Sequence, residues 1–261
     1  MSLSDRFVFL HSRQIPSWTR NLLIKALVLK NRLVSLARMQ RQLFTMASIE
    51  ISHNCNRRCS YCPVSHYPEH NAGKMMDVQT FRKIVDDLTD IGFEGTVFFS
   101  GYTEPLRHPE LLRMIQYARR RLKKSKIAIY TNGDYLTKEL FQSLRRYSVI
   151  LQVTQHEPVD EAHYSFLQNL GHGYKSFFLR RAISGEHLST RGGLVNIDNP
   201  EKKSFCAIPS VQLSVDVDGN VVLCCDDYFS THTYGNVHVE ALYTIWRKKE
   251  FKKVRRLLLH G

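Results

Sequence analysis

From residue 47 onward the apolar positions switch repeatedly between the two-residue period of a strand and the 3.6-residue period of a helix. Ala47–His53 places Ile49 and Ile51 on one face and reads as a first strand. Asp77 is positioned to cap a helix whose Phe81, Ile84, Val85, Leu88 and Ile91 form one stripe. Thr96–Ser100 is an apolar strand, Pro109–Arg121 a helix, Lys126–Thr131 a strand and Leu136–Arg146 a helix. Val149–Val153, Asp160–Leu170 and Lys175–Leu179 continue as strand, helix and strand. Repeated βα units of about 25–30 residues predict an α/β fold, a partial (β/α)6 TIM-like barrel with active residues at the C-terminal strand ends.

After Arg181 the pattern changes. Ser184–Lys203 is polar and loop-rich. Val211–Cys224 alternates apolar and polar positions about Asp218-Gly219, a hairpin signal, and Leu242–Leu259 reads as a final basic helix. The expected domains are therefore a basic helical N-terminal extension (1–45), a barrel (46–199) and a small C-terminal β-hairpin/helix module (200–261). In the extension Leu22, Ala26, Leu29, Leu33 and Leu36 recur at helical spacing. That helix either packs on the barrel or makes a peripheral membrane contact.

Net charge is +13. An excess of this size suits an anionic partner, but it also suits a merely soluble basic enzyme. Nucleic acid is disfavoured, because the basic runs at Arg119–Lys126 and Arg247–Arg256 lack the interleaved aromatic residues of single-strand binders. No run of 18 apolar residues and no signal-peptide pattern is present, which predicts a cytoplasmic protein. The six cysteines fall in two groups, Cys55/Cys59/Cys62 and Cys206/Cys224/Cys225, and such clustering points to metal chemistry more than to disulfides.

The first group is C-x3-C-x2-C in the loop after the first strand. Three thiolates on a short loop can hold three corners of a [4Fe–4S] cube and leave one iron open. A zinc site with His53 as fourth ligand is the alternative. The spacing, with aromatic Tyr61 before the third cysteine, resembles the radical S-adenosylmethionine (SAM) superfamily. A second stretch, Gly101-Tyr-Thr-Glu104-Pro105, is similar to that family's Gly-x-Gly-Glu-Pro segment, with Thr103 where a glycine is usual. Tyr130-Thr131-Asn132-Gly133 resembles its ribose-facing segment. The resemblance implies that Cys55, Cys59 and Cys62 hold a SAM-binding [4Fe–4S] cluster and that Tyr61, Gly101, Glu104 and Asn132 shape the SAM site.

In the second group Cys206, Gly219 and Cys224 stand at C-x12-G-x4-C, which resembles the opening of the SPASM and Twitch modules. This implies an auxiliary Fe–S cluster on Cys206 and Cys224. The further C-terminal cysteines usual in those modules do not occur after Cys225 in this sequence, and Asp226, Asp227 and His232 are candidate non-thiolate ligands.

The resemblance further implies reductive cleavage of SAM to a 5′-deoxyadenosyl radical, fed by a flavodoxin- or ferredoxin-like electron donor, and hydrogen abstraction from a small sugar-like or other metabolite. An anionic or carrier-bound substrate fits the charge. Two-electron oxidation by a dehydrogenase is the first reading. The alternatives are an epimerase with Cys225 as hydrogen donor, a peptide-modifying maturase, an RNA-modifying enzyme and a non-catalytic Fe–S accessory protein. Cys225, Asp226 and Asp227 are candidate catalytic residues, with Gln155 and His156 as further base candidates. Arg180, Arg181, His187 and Arg191 are candidate substrate contacts.

Overall fold

The computed structural model describes residue 26 and residues 43–70, 73–182, 190–196 and 205–260. The predicted N-terminal helix, apart from Ala26, and His187 lie outside the described residues. Among the described residues no helix is long and apolar enough to cross a membrane.

Eight strands form one mixed sheet: β1 (Met46–Ile49), β2 (Thr96–Phe99), β3 (Lys126–Thr131), β4 (Ile150–Gln155), β5 (Phe177–Arg181), β6 (Gln212–Val215), β7 (Asn220–Val222) and β8 (Thr233–Asn236). Their order across the sheet is β5-β4-β3-β2-β1-β6-β7-β8. The first six strands are parallel, and β7 and β8 run antiparallel. This is the partial barrel expected from the βα alternation, with one difference. The sixth parallel strand does not follow β5 through a further βα unit. It is the first arm of the predicted hairpin, and it pairs with β1 from Met46↔Gln212 to Ile49↔Val215. One continuous sheet thus runs across the boundary drawn at residue 200.

The helices cover the sheet for the reasons their sequences suggest. In α2 (Val78–Asp90), which follows the one-turn α1 (Pro63–His66), Asp77 accepts from the N–H groups of Gln79 and Thr80 at 2.8 and 2.9 Å. Phe81, Ile84, Val85 and Leu88 are fully buried, each contributing roughly 1.5–3 kcal/mol of hydrophobic stabilisation. α3 (Leu111–Arg121) buries Leu111, Met114, Ile115 and Ala118. Thr137 caps α4 (Lys138–Arg146), and Asp160 caps α5 (Glu161–Gly171).

Most boundaries move by one or two residues, β4 for instance ending at Gln155 rather than Val153, and three shifts bear on the site or the module. β1 ends at Ile49 rather than His53, because Ile51 and His53 turn to hydrogen-bond Met76 and Lys74. β5 begins at Phe177, two residues late, so Arg180 and Arg181 lie within it. The final helix is two helices, α7 (Leu242–Arg247) and α8 (Lys249–His260), preceded by the short α6 (Ile208–Val211). Lys248 breaks the run, and its ammonium donates to the Tyr234 carbonyl at 2.8 Å and to Glu240.

Between β6 and β7, Asp216 Oδ1 accepts from the N–H groups of Asp218 and Asn220 at 3.0 and 2.9 Å. Gly219 there has φ +80°, a conformation glycine adopts without strain.

Candidate active site

The C-terminal ends of β1 to β5 surround a cavity of about 360 Å³. Each predicted motif arrives on a different strand end. The cysteine loop follows β1, Gly101–Glu104 follows β2, Asn132 follows β3, His156 follows β4, and Arg180 projects from β5. Cys55, Cys59 and Cys62 all line this cavity, together with Gly101, Glu104, Asn132, His156, Arg180, Arg191 and Cys225.

The cysteine loop is shaped by its own backbone and by one arginine. Cys62 N–H donates to the Cys59 carbonyl at 3.0 Å, and the Ser65 hydroxyl reaches the same carbonyl at 2.7 Å. Arg57 clamps the loop to the end of β3 through two hydrogen bonds to Asp134, at 2.7 and 2.6 Å, and a third arm meets the His156 carbonyl at 2.6 Å. Burial pushes all three thiols up, Cys62 to about 11. They are free thiols.

A single ion needs donors converging on one point, and among the described residues no three His, Cys, Asp or Glu side chains do so. His53, the candidate zinc ligand, has Nε2 engaged by Glu50 at 3.1 Å. Three thiols along one cavity wall suit instead a polynuclear iron–sulfur group, in which separate irons each take one sulfur.

Glu104 is 1% exposed. Its Oε1 accepts from Leu106 N–H and the Thr131 hydroxyl at 3.0 and 2.6 Å, and its Oε2 accepts from Asn132 N–H at 2.7 Å. Burial outweighs these donors and lifts its pKa to about 7. A carboxylate offers about four acceptor positions, so one remains for a cationic donor such as an ammonium. Asn132 itself is held by Asn56, 2.9 Å from its amide nitrogen.

Tyr61, which does not itself line the cavity, hydrogen-bonds through its hydroxyl to Nδ1 of the cavity-lining His156. Burial, with Arg57 and Arg180, lowers the His156 pKa to about 4, so its imidazole is neutral at pH 7. Gln155 is buried behind it, donating to the Asn132 carbonyl, and does not line the cavity.

On the C-terminal side, Arg191 donates to Asp226 at 3.3 Å, and Cys225 faces the same space. Asp227 is placed differently. Its carboxylate accepts from the N–H groups of Thr231 and His232 at 2.9 and 2.8 Å and from the Thr231 hydroxyl, closing its own loop outside the cavity. His232 is exposed and joins that loop. Arg181 pairs with Glu161 on the outer surface. Cys206 and Cys224 are half-buried free thiols. Burial lifts Cys224 to about 11, with Asp226 and Cys206 adding to the effect.

Tyr102 had no signal of its own in the sequence. It is buried, lines the cavity, and its hydroxyl has no hydrogen-bond partner among the described residues. Its ring stands edge-on to Tyr228 at 4.8 Å, joining the β2 strand end to the C-terminal module.

Residues 49–183 match the family model described as the radical SAM superfamily, and residues 206–260 match the SPASM iron–sulfur cluster-binding domain. The S-adenosyl-L-methionine-dependent 2-deoxy-scyllo-inosamine dehydrogenase of Niallia circulans is 30% identical over 223 residues, covering 84% of this chain and 89% of that protein. Among solved structures, BtrN in complex with AdoMet and 2-DOIA superposes with a TM-score of 0.77 at 29% identity, covering 84% of this chain and 88% of that one. The enzyme anSMEcpe with bound AdoMet and a peptide shares the fold, with a TM-score of 0.60 at 15% identity over 83% of both chains.

Proposed function

This chain belongs to the radical SAM superfamily, and from that premise we propose that it oxidises a small, polyhydroxylated, sugar-like metabolite by removing two hydrogens from a CH–OH group. A single observation carries the reading: one cavity gathers the three thiols of the β1 loop, the buried Glu104 and Arg191. The name of the Niallia circulans relative, a dehydrogenase of an aminocyclitol, supports the substrate class.

Cys55, Cys59 and Cys62 would hold the SAM-binding [4Fe–4S] cluster, and Cys206 and Cys224 are assigned to the auxiliary cluster. When bound, these groups supply a SAM-derived radical able to take a hydrogen atom, and a one-electron acceptor. The residues of the chain do the rest. Glu104 accepts the ammonium of SAM, while Gly101 and Asn132 shape the wall beside it. Tyr61 supports His156 through its hydroxyl. Arg191, held by Asp226, presents a donor to substrate hydroxyl groups. His156 lines the cavity with an unprotonated imidazole at pH 7 and is placed to take the hydroxyl proton. An external one-electron donor, flavodoxin- or ferredoxin-like, completes the cycle.

The test is anaerobic reconstitution with iron and sulfide, reduction and addition of SAM. 5′-Deoxyadenosine is expected from the wild type and not from a Cys55/Cys59/Cys62 triple Ala variant. No product from a protein with full iron content would overturn the reading. An aminocyclitol or polyol substrate should lose two mass units. A mass unchanged in H2O, with one deuterium gained in D2O, would favour the epimerase, a second reading that rests on Cys225 facing the cavity.

A further inference from the structure

Two chain segments enter the cavity side by side. One, residues 48–54, leads from β1 into Cys55. The other, residues 100–104, leads from β2 to Glu104. Alternate residues of the first reach across to the second. Ser48 and Ser100 share a hydroxyl–hydroxyl hydrogen bond of 2.8 Å. The Glu50 carboxylate accepts from Tyr102 N–H. Ser52 and Thr103 hydroxyls meet at 2.5 Å. The Asn54 carbonyl accepts from Glu104 N–H at 3.4 Å. These are positions 48, 50, 52 and 54, the same side of an extended chain. The β1–β2 ladder ends at Ile49↔Phe99, so beyond residue 49 the side chains of Glu50 and Ser52, with the one backbone bond at Asn54, tie the two segments together.

The fit is close. Gly101 has φ +124°, and a Cβ there would lie 2.5 Å from Glu50 Oε1. Ser52 is fully buried, so its hydroxyl depends on Thr103 for a partner. Thr103 stands where the superfamily pattern has glycine, and its hydroxyl is the one that Ser52 uses.

We propose that Glu50, Ser52 and Thr103 are positioning residues that fix the cysteine loop relative to Glu104, and so set the geometry in which the methionine end of SAM is gripped. The proposal rests on the SAM-site reading above. None of the three side chains needs to touch the reacting atoms.

The experiment measures SAM affinity of the reconstituted protein by equilibrium dialysis, alongside iron content and the thermal midpoint. Glu50→Ala should weaken SAM binding about tenfold or more at wild-type iron content, and Glu50→Gln, which keeps an acceptor for Tyr102 N–H, should restore it to within about threefold. Ser52→Ala and Thr103→Val should each weaken binding several-fold. The double variant should do less harm than the two single effects multiplied, because it leaves no buried hydroxyl unpaired. Should Glu50→Ala not fold, the Ser52/Thr103 cycle decides alone. Wild-type SAM affinity in these variants would overturn the proposal, as would weakened binding that merely tracks lost iron. A wild-type protein with full iron that binds no SAM would instead overturn the SAM-site reading itself.

Discussion

Arg57 and Asp134, 77 residues apart, meet as a two-armed ion pair that fastens the middle of the cysteine loop to the end of β3. The planar guanidinium matches the carboxylate in a way a lysine ammonium cannot. Arg57→Lys should therefore keep the charge yet load less iron after reconstitution, and Arg57→Ala should load less still, by severalfold. Iron and sulfide per chain are the measurements. Equal loading in all three proteins would show that the clamp does not hold the loop.

Glu104 carries a sign that can be read in the protein without cofactors. Its pKa rises on folding from an ordinary carboxylate value to about 7, so between about pH 4.5 and 7 the folded state holds a proton that the unfolded state has lost. Stability from this group is present below that window and declines as pH rises through it. Glu104→Gln has no such titration. The thermal midpoint of the wild type minus that of Glu104→Gln should shrink steadily from pH 4.5 to 7, and a constant difference would count against the buried, proton-holding carboxylate.

Asp77 offers a control far from the chemistry. Its carboxylate satisfies two N–H groups at the start of α2 and the Thr80 hydroxyl at 2.6 Å. Asp77→Ala should cost about 1 kcal/mol of stability in denaturant unfolding. SAM cleavage per folded, iron-loaded chain should stay unchanged, because no atom of Asp77 lines the cavity.

Cys206→Ala separates the two cysteine groups. If Cys206 ligates a second cluster, the variant should lose that cluster's iron while the SAM-dependent signal of the first cluster persists. The Cys55/Cys59/Cys62 triple variant should show the complement. Identical iron content in Cys206→Ala and wild type would remove Cys206 from the ligand set.

Much of this was legible in the chain. The 3.6-residue period placed the helices, and short apolar runs placed strands that the sheet buries on both faces, as in Thr96–Phe99, where all four are buried. The cysteine spacing and Glu104 were legible because each sits immediately after a strand. What escaped were choices between equally good local partners. Residues 50–53 alternate like a strand, but they bond Lys74–Met76 instead of continuing along β2. Lys248 sits in a run of good helix formers and breaks it only because Tyr234 and Glu240 await its ammonium. Asp227 resembled a base as much as Asp226 did, and only three-dimensional contacts assign the first to a loop and the second to Arg191. The Arg57–Asp134 pair spans two motifs that nothing in the sequence couples.

The pairing of β6 with β1 has a consequence for size. Cys55 hangs from the end of β1, and Cys206 and Cys224 flank the β6–β7 hairpin, so both cysteine groups are carried by neighbouring strands of one sheet. Adjacent strands cannot slip by one residue without turning their buried side chains outward. The sheet therefore acts as a ruler between the two groups. Molecules longer than the gap it sets cannot be admitted by the halves drifting apart along the strands; they would have to break Met46–Ile49 away from Gln212–Val215, hydrogen bond by hydrogen bond.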